Sequence, residues 1–154
     1  MAVTADMLLA VAIRPSDKPT IRIANVNSAK FPTREFEIPT GGDIEIDASS
    51  HEWTNYFKSG LRGAAQLLQK KRGGKLVAVG MDVLADGTVP SGGGLSSSAA
   101  FVCASALAVM KANGEDKVDK TELVELAVVS ERAVGVNSGG FVSSYFHVKH
   151  TTLC

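Results

Sequence analysis

The stretch Pro90-Ser91-Gly92-Gly93-Gly94-Leu95-Ser96-Ser97-Ser98-Ala99-Ala100 decides how this chain is read. Three consecutive glycines carry no Cβ, so the backbone there can take φ > 0 and come close to a ligand. The serines after them supply hydroxyls where a new segment begins. That segment, residues 99–110, is apolar almost all round, with Phe101, Val102, Leu107, Val109 and Met110 among its residues, which is the pattern of a central, buried helix. A helix starting at Ser97 or Ser98 turns its unpaired first N–H groups and the positive end of its dipole toward the glycines, an arrangement that favours phosphate. Flexible Gly/Ser linkers rarely run unbroken into so apolar a helix. The loop therefore points to a nucleotide phosphate site. The better-known loops do not fit it. There is no lysine for a Walker A loop, Ser97 stands where a dinucleotide fingerprint needs its third glycine, and Ser98 stands where a nucleophile elbow starting at Gly94 needs its last one.

Outward from the loop, residues 76–84 alternate Val77, Val79, Met81 and Val83 with other residues and predict a strand ended by Asp86-Gly87. Before it, Trp53, Phe57, Leu61, Ala64, Leu67 and Leu68 recur at three and four, predicting a helix over 52–71 that stops at Gly73-Gly74. Ser49 and Glu52 have the spacing of a capping box at its start. The dense apolar run 7–13, closed by Arg14-Pro15, predicts a buried strand, and Asp17-Lys18-Pro19 a turn. Residues 20–26 and 33–38 alternate and predict two half-buried strands. Downstream, Asn113-Gly114 ends the apolar helix, and Asp119 with Glu122 opens another that carries Leu123, Leu126, Ala127 and Ser130 toward Val134. The order β-β-β-α-β-α-α predicts an α+β fold.

At 154 residues, 45% of them hydrophobic, the chain is long enough for one ordinary domain with a real core. Its 16 basic and 16 acidic side chains cancel, which leaves no field to steer a polyanion, so nucleic acid is not an expected partner. The one basic cluster, Lys70, Lys71, Arg72 and then Lys75, lies where it complements a helix dipole. Two cysteines, Cys103 and Cys154, make no disulfide framework, so a reducing, cytoplasmic setting is expected. The run 7–13 is too short for a membrane span or signal peptide, and no membrane partner is expected.

The string PSGGGLSSSAA at 90–100 closely resembles the second motif of the GHMP small-molecule kinases, Pro-x-x-x-Gly-Leu-Ser-Ser-Ser-Ala, and its triple serine points to the galactokinase branch. MAVTADMLLAVAI at 1–13, EWTNYFKSGLRGA at 52–64 and SERAVGVNSGG at 130–140 look like fungal galactokinases in particular. The resemblance covers nearly everything up to Gly140. It implies a ribosomal protein S5 domain 2-like fold, with residues 1–140 as part of the N-terminal, ATP-binding domain. Residues 141–154 resemble nothing in the family and are expected to be a loosely packed or disordered tail. His147, His150 and Cys154 within that tail lack a fourth ligand and a capped fold for a metal.

The resemblance also implies a site. Gly92, Gly93, Gly94, Ser96, Ser97 and Ser98 become contacts of ATP phosphates, and Ser98 and Glu131 become ligands of Mg²⁺, for which a hydroxyl and a carboxylate are suitable hard donors. The implied reaction is phosphorylation of galactose by ATP to galactose 1-phosphate. The family's proton-accepting aspartate, in a Gly-Gly-Met-Asp-Gln segment, has no counterpart here: Gly139-Gly140 are followed by Phe141 and Val142, and valine accepts no proton. The family's first motif, which holds the sugar, would lie upstream of Met1. The expectation is therefore a fragment that binds Mg-ATP, has no catalytic residue of its own, is poorly active, and leaves the faces bearing Phe57, Leu61, Leu67 and Leu68 in want of cover. The alternatives are a non-catalytic, galactokinase-like sensor, or a gene-model fragment with no role of its own.

Overall fold

The computed structural model describes residues 5–16, 18–39, 44–73, 78–91 and 96–132, at 128 and 130–132 the backbone alone. Its elements are β1 (Met7–Arg14), β2 (Thr20–Asn25), β3 (Arg34–Glu37), α1 (Thr54–Arg72), β4 (Gly80–Gly87), α2 (Ser97–Ala112) and α3 (Lys120–Arg132), the order that the sequence predicts. The four strands form one sheet in the order β1-β4-β2-β3. β1 runs antiparallel to β4, and β2 antiparallel to β3, whereas β2 and β4 are parallel. A parallel pair needs a long crossover, and α1 lies within the connection that supplies it.

The strand register sorts the side chains onto two faces. Val11, Val83 and Ile23 share one row, and Ile13, Met81, Ile21 and Phe36 the next. Ile21, Ile23, Met81 and Val83 are buried against the helices. The opposite face carries Asp82, whose carboxylate accepts from Arg14 Nη1 at 3.2 Å and from Arg22 Nε at 3.1 Å. The apolar run of β1 predicts a strand covered on both sides, and here the structure differs. Met7, Leu9 and Val11 pack on the core, but Leu8, Ala10 and Ala12 face outward, Leu8 being 61% exposed. The helices gather on one face of the sheet, so half of the run lies outside the core.

α1 presents Phe57, Leu61, Ala64 and Leu68 to the core, all fully buried, with Phe57 edge-on to Phe36 at 6.4 Å. Gly73 ends the helix in the left-handed region at φ 68°, a conformation glycine adopts without strain. The predicted capping box does not form. Trp53 is at the N-cap with no side-chain cap, because Ser49 donates to Asp47 Oδ1 and Glu52 is held by Arg34 at 3.0 Å. Asn55, buried, orders this approach instead by donating through Nδ2 to the carbonyls of Asp47 and Ser50, each at 2.9 Å.

The faces expected to want outside cover are covered within the domain: Phe57, Leu61 and Leu68 are inaccessible, and Leu67 packs on the same core. α2 crosses α1 at Gly60, where a Cβ would stand 2.7 Å from Val102 O and 2.8 Å from Ser105 Cβ. No residue of α2 is fully exposed, as its all-round apolar sequence requires. α3 starts at the predicted place, with Asp119 Oδ1 accepting from the N–H groups of Thr121 and Glu122 at 2.8 and 3.0 Å. Glu122 does not close the box. It pairs with Lys71 at 2.6 Å, tying the basic end of α1 to α3. No described helix is long and apolar enough to cross a membrane.

Candidate nucleotide site

α2 opens on an unusual residue. Ser96, its N-cap, takes φ 53° and ψ 47° and is the one non-glycine residue with positive φ among those described. An N-cap side chain ordinarily reaches the first-turn N–H groups from an extended backbone. From the left-handed region Ser96 does not, and α2 has neither a side-chain cap nor an acidic residue in its first turn. The helix ladder begins with Ala100 N donating to Ser96 O at 3.1 Å. Ser97 and Ser98 are half-buried, and Ala99 and Ala100 buried. The positive end of a 16-residue helix thus lies partly out of water, where its dipole is least screened and an anion is most favoured.

Of the residues that the sequence assigns to phosphate, Ser96, Ser97 and Ser98 stand at this helix end, while Gly92, Gly93 and Gly94 lie outside the described residues. Of the two assigned to metal, Glu131 is in the last turn of α3, its side chain not described. Val102 and Cys103 of α2 pack with Ala127 of α3, and Tyr56 lies against them. Val142 and the tail 141–154 fall outside the described residues. Among those described, no three of His, Cys, Asp and Glu converge on a common point.

The structure adds groups beside Ser91 that sequence reasoning missed. Lys30, in the turn between β2 and β3, donates from Nζ to Ser91 Oγ at 2.5 Å. Next to it Phe31 leans on Trp53 with ring centroids 5.7 Å apart, and Trp53 stacks on Phe101 of α2 at 5.9 Å and an interplanar angle of 20°. Trp53 Nε1 donates to Pro32 O at 3.0 Å. No spacing rule could find Lys30, which is 61 residues from its partner.

Two other features lie away from this end. A cavity of about 590 Å³ opens on the outer face of the sheet among Ala10, Ala12, Arg22, Ala24 and Leu84. Its Asp82 is already shared by Arg14 and Arg22. The titration shifts are structural too. N–H donation from Glu122 and Thr121 holds Asp119 below the usual carboxylate range, and the Glu122 carboxylate raises Lys71.

A mixed sheet backed by helices, with a serine-rich turn into the buried α2, is the N-terminal architecture of one kinase class. The family model described as "GHMP kinases N terminal domain" matches residues 55–147, and the chain belongs to the GHMP kinase family. Its relatives within that family include the galactokinase of Candida parapsilosis, 46% identical over 140 residues that make up 91% of this chain and 27% of that protein. Another is the galactokinase of Saccharomyces cerevisiae, 43% identical over 146 residues, covering 91% of this chain and 28% of that protein. The chain thus spans little more than a quarter of the length of these curated relatives. Among solved structures, Lactococcus lactis galactokinase complexed with galactose superposes with a TM-score of 0.71 at 24% identity, over 92% of this chain and 33% of that one. A mevalonate kinase does so with a TM-score of 0.64 at 14% identity, over 85% and 38%. These likenesses establish the fold.

Proposed function

We propose that this chain is the nucleotide-binding part of a galactokinase, and that the loop 90–98 with the N-terminus of α2 holds the phosphates of ATP. The observation that carries this reading is the uncapped, half-buried start of α2 behind the left-handed Ser96. Backbone N–H groups of Ser97 and Ser98 would face the phosphates, and Gly92, Gly93 and Gly94 would let the chain close around them. Ser98 and Glu131 would hold Mg²⁺. One observation supports that pair: Val102 of α2 and Ala127 of α3 share a packed cluster, and Ser98 lies one turn before Val102 while Glu131 lies one turn after Ala127. A hydroxyl and a carboxylate leave the rest of an octahedron to phosphates and water. When bound, the ion neutralises charge on the transferring phosphoryl group.

The reaction proposed for the whole protein is transfer of the γ-phosphoryl group of ATP to galactose, giving galactose 1-phosphate and ADP. Val142 favours a second reading beside it, a galactokinase-like protein that binds nucleotide without catalysis, because valine cannot take the sugar's proton. A domain boundary at residue 140, with 141–154 as a tail outside the family domain, and a cytoplasmic setting belong to the same proposal. Titration with ATP, with and without Mg²⁺, tests it. Ser98→Ala and Glu131→Ala should each reduce the gain in affinity that Mg²⁺ brings while leaving metal-free ATP binding nearly unchanged. An undiminished Mg²⁺ effect in both variants removes them from the site. A coupled ADP-release assay decides between the readings, since galactose-dependent turnover near that of an intact galactokinase excludes the non-catalytic one.

A further inference from the structure

The sheet has β3 at one edge and β1 at the other, and only the first is blunted. β3 is 4 residues long and carries Arg34, Glu35 and Glu37; short, charged strands resist pairing with another chain. β1 is 8 residues long, Met7-Leu8-Leu9-Ala10-Val11-Ala12-Ile13-Arg14, with no proline, lysine or acidic residue. Half of its backbone groups serve β4. Thr88 N donates to Asp6 O, and Asp6 N to Thr88 Oγ1, each at 2.9 Å. Ala85, opposite Leu9, turns its carbonyl the other way, to Val26 N at 3.0 Å. The alternation of an antiparallel ladder therefore points the N–H and C=O groups of Met7, Leu9, Val11 and Ile13 away from β4, and among the described residues nothing pairs with them. The side chains are open there too. Ile13 shares a row with Met81 and Ile21, which are inaccessible, yet is itself 52% exposed, and Leu8 is exposed on the outer face.

We propose that β1 is a docking edge for a second copy of this chain, the two strands pairing antiparallel about a two-fold axis at Ala10. A residue whose backbone groups point across the edge has to meet another such residue, so odd-numbered residues stand opposite odd-numbered ones. The axis at Ala10 satisfies this. It sets Leu9 opposite the partner's Val11, Met7 opposite the partner's Ile13, Leu8 opposite the partner's Ala12 and Asp6 opposite the partner's Arg14. Each end of the paired strands then carries opposite charges, at non-hydrogen-bonded positions where side chains come closest. Asp6 has no ion pair among the described residues, and Arg14, which gives Nη1 to Asp82, has further donors. The axis runs perpendicular to the sheet, so the helices of both copies lie on one face, and Met7 and Ile13 carry one core across the joint. The joined sheet ends in β3 on both sides, so assembly stops at two.

The test is sedimentation of the full chain over a range of concentrations, as wild type, Asp6→Arg, Arg14→Asp and Ile13→Pro, with a cooperative melt required of each. Wild type should form a reversible dimer with a Kd in the micromolar range. Asp6→Arg and Arg14→Asp each set like charges at both ends and should weaken it about two- to thirtyfold. Mixed together they should regain the wild-type affinity, because the mixed dimer restores both opposite pairs. Ile13→Pro removes an N–H that only the partner strand uses and should leave the chain monomeric; it decides the matter if Arg14→Asp does not fold. Hydrogen exchange should show the Leu9 and Val11 amides protected in concentrated wild type and open on dilution. A wild-type chain still monomeric at about 1 mM overturns the proposal. So do assemblies larger than a dimer, a dimer of undiminished affinity in Ile13→Pro, or a mixture no stronger than its two components. Amide protection that persists in the dilute monomer overturns it as well, since another part of the chain would then cover the edge.

Discussion

Replacing Gly60 by alanine sets two opposed effects against each other. In a solvent-facing helix the change would stabilise by about 1 kcal/mol, because glycine loses more backbone freedom on folding. In α1 the new methyl would stand 2.7 Å from Val102 O, 2.8 Å from Ser105 Cβ and 3.0 Å from Ala106 N. Two of these neighbours are backbone atoms of α2 and cannot rotate away. Relief to an ordinary contact of 3.4 Å requires the helices to part by about 0.7 Å, and a gap of that size forfeits a quarter to a half of each dispersion contact across the interface. The side chains concerned include Phe57, Leu61, Val102 and Ala106, all fully buried. Overpacking of this kind costs about 1–3 kcal/mol, so the net expectation is destabilisation by up to about 2 kcal/mol after the helix gain is subtracted. For a domain of this size that lowers Tm by up to about 8 °C. Gly73→Ala is the control: at φ 68° a Cβ meets nothing within 4 Å, so its cost, about 1 kcal/mol, comes from the left-handed backbone alone. Differential scanning calorimetry on both variants reads the outcome. A higher Tm for Gly60→Ala would mean that α1 and α2 do not cross this closely, and the burial of α2 would need another account.

Two further expectations can be checked by thermal melts. Asn55→Ala removes the donor to the carbonyls of Asp47 and Ser50 and should destabilise by about 1–3 kcal/mol, with limited proteolysis showing faster cleavage in the segment before α1. Asp119 is kept below the usual carboxylate range by N–H donation from Glu122 and Thr121. Its contribution is therefore complete above the ordinary aspartate pKa and disappears as pH falls through its lowered folded value. Asp119→Ala should lower Tm at neutral pH, and the gap from wild type should close in strong acid; a gap that stays constant with pH refutes the cap.

The element order was legible because turn-forming residues mark most boundaries: Gly73 and Asn113-Gly114 fall where the chain leaves a helix, and Asp86-Gly87 are the last two residues of β4. α2 was legible from its uniform apolarity, since a helix without a polar face has to be buried. The capping box at Ser49 and Glu52 misled because a spacing does not reveal a competitor, and Arg34, distant in sequence, takes the glutamate. The sidedness of β1 was hidden because Leu8, Ala10 and Ala12 read as core in a local window, and only the stacking of the helices shows which face is covered. The expected need for outside cover failed for the same reason: the partners of Phe57 and Leu61 are non-local. At the candidate site, the serines and the helix end were readable from the loop itself, while Lys30 reaches Ser91 through tertiary packing that no local pattern records.

The central claim, that the loop 90–98 and the start of α2 hold the phosphates of ATP, is tested most directly by calorimetric titration of Mg-ATP into the wild-type chain and into Gly93→Val. The account predicts saturable binding by wild type and a loss of at least about tenfold in the variant, with an unchanged Tm, because branched methyl groups block the close backbone approach that glycine permits. Equal affinity in the two proteins would contradict it.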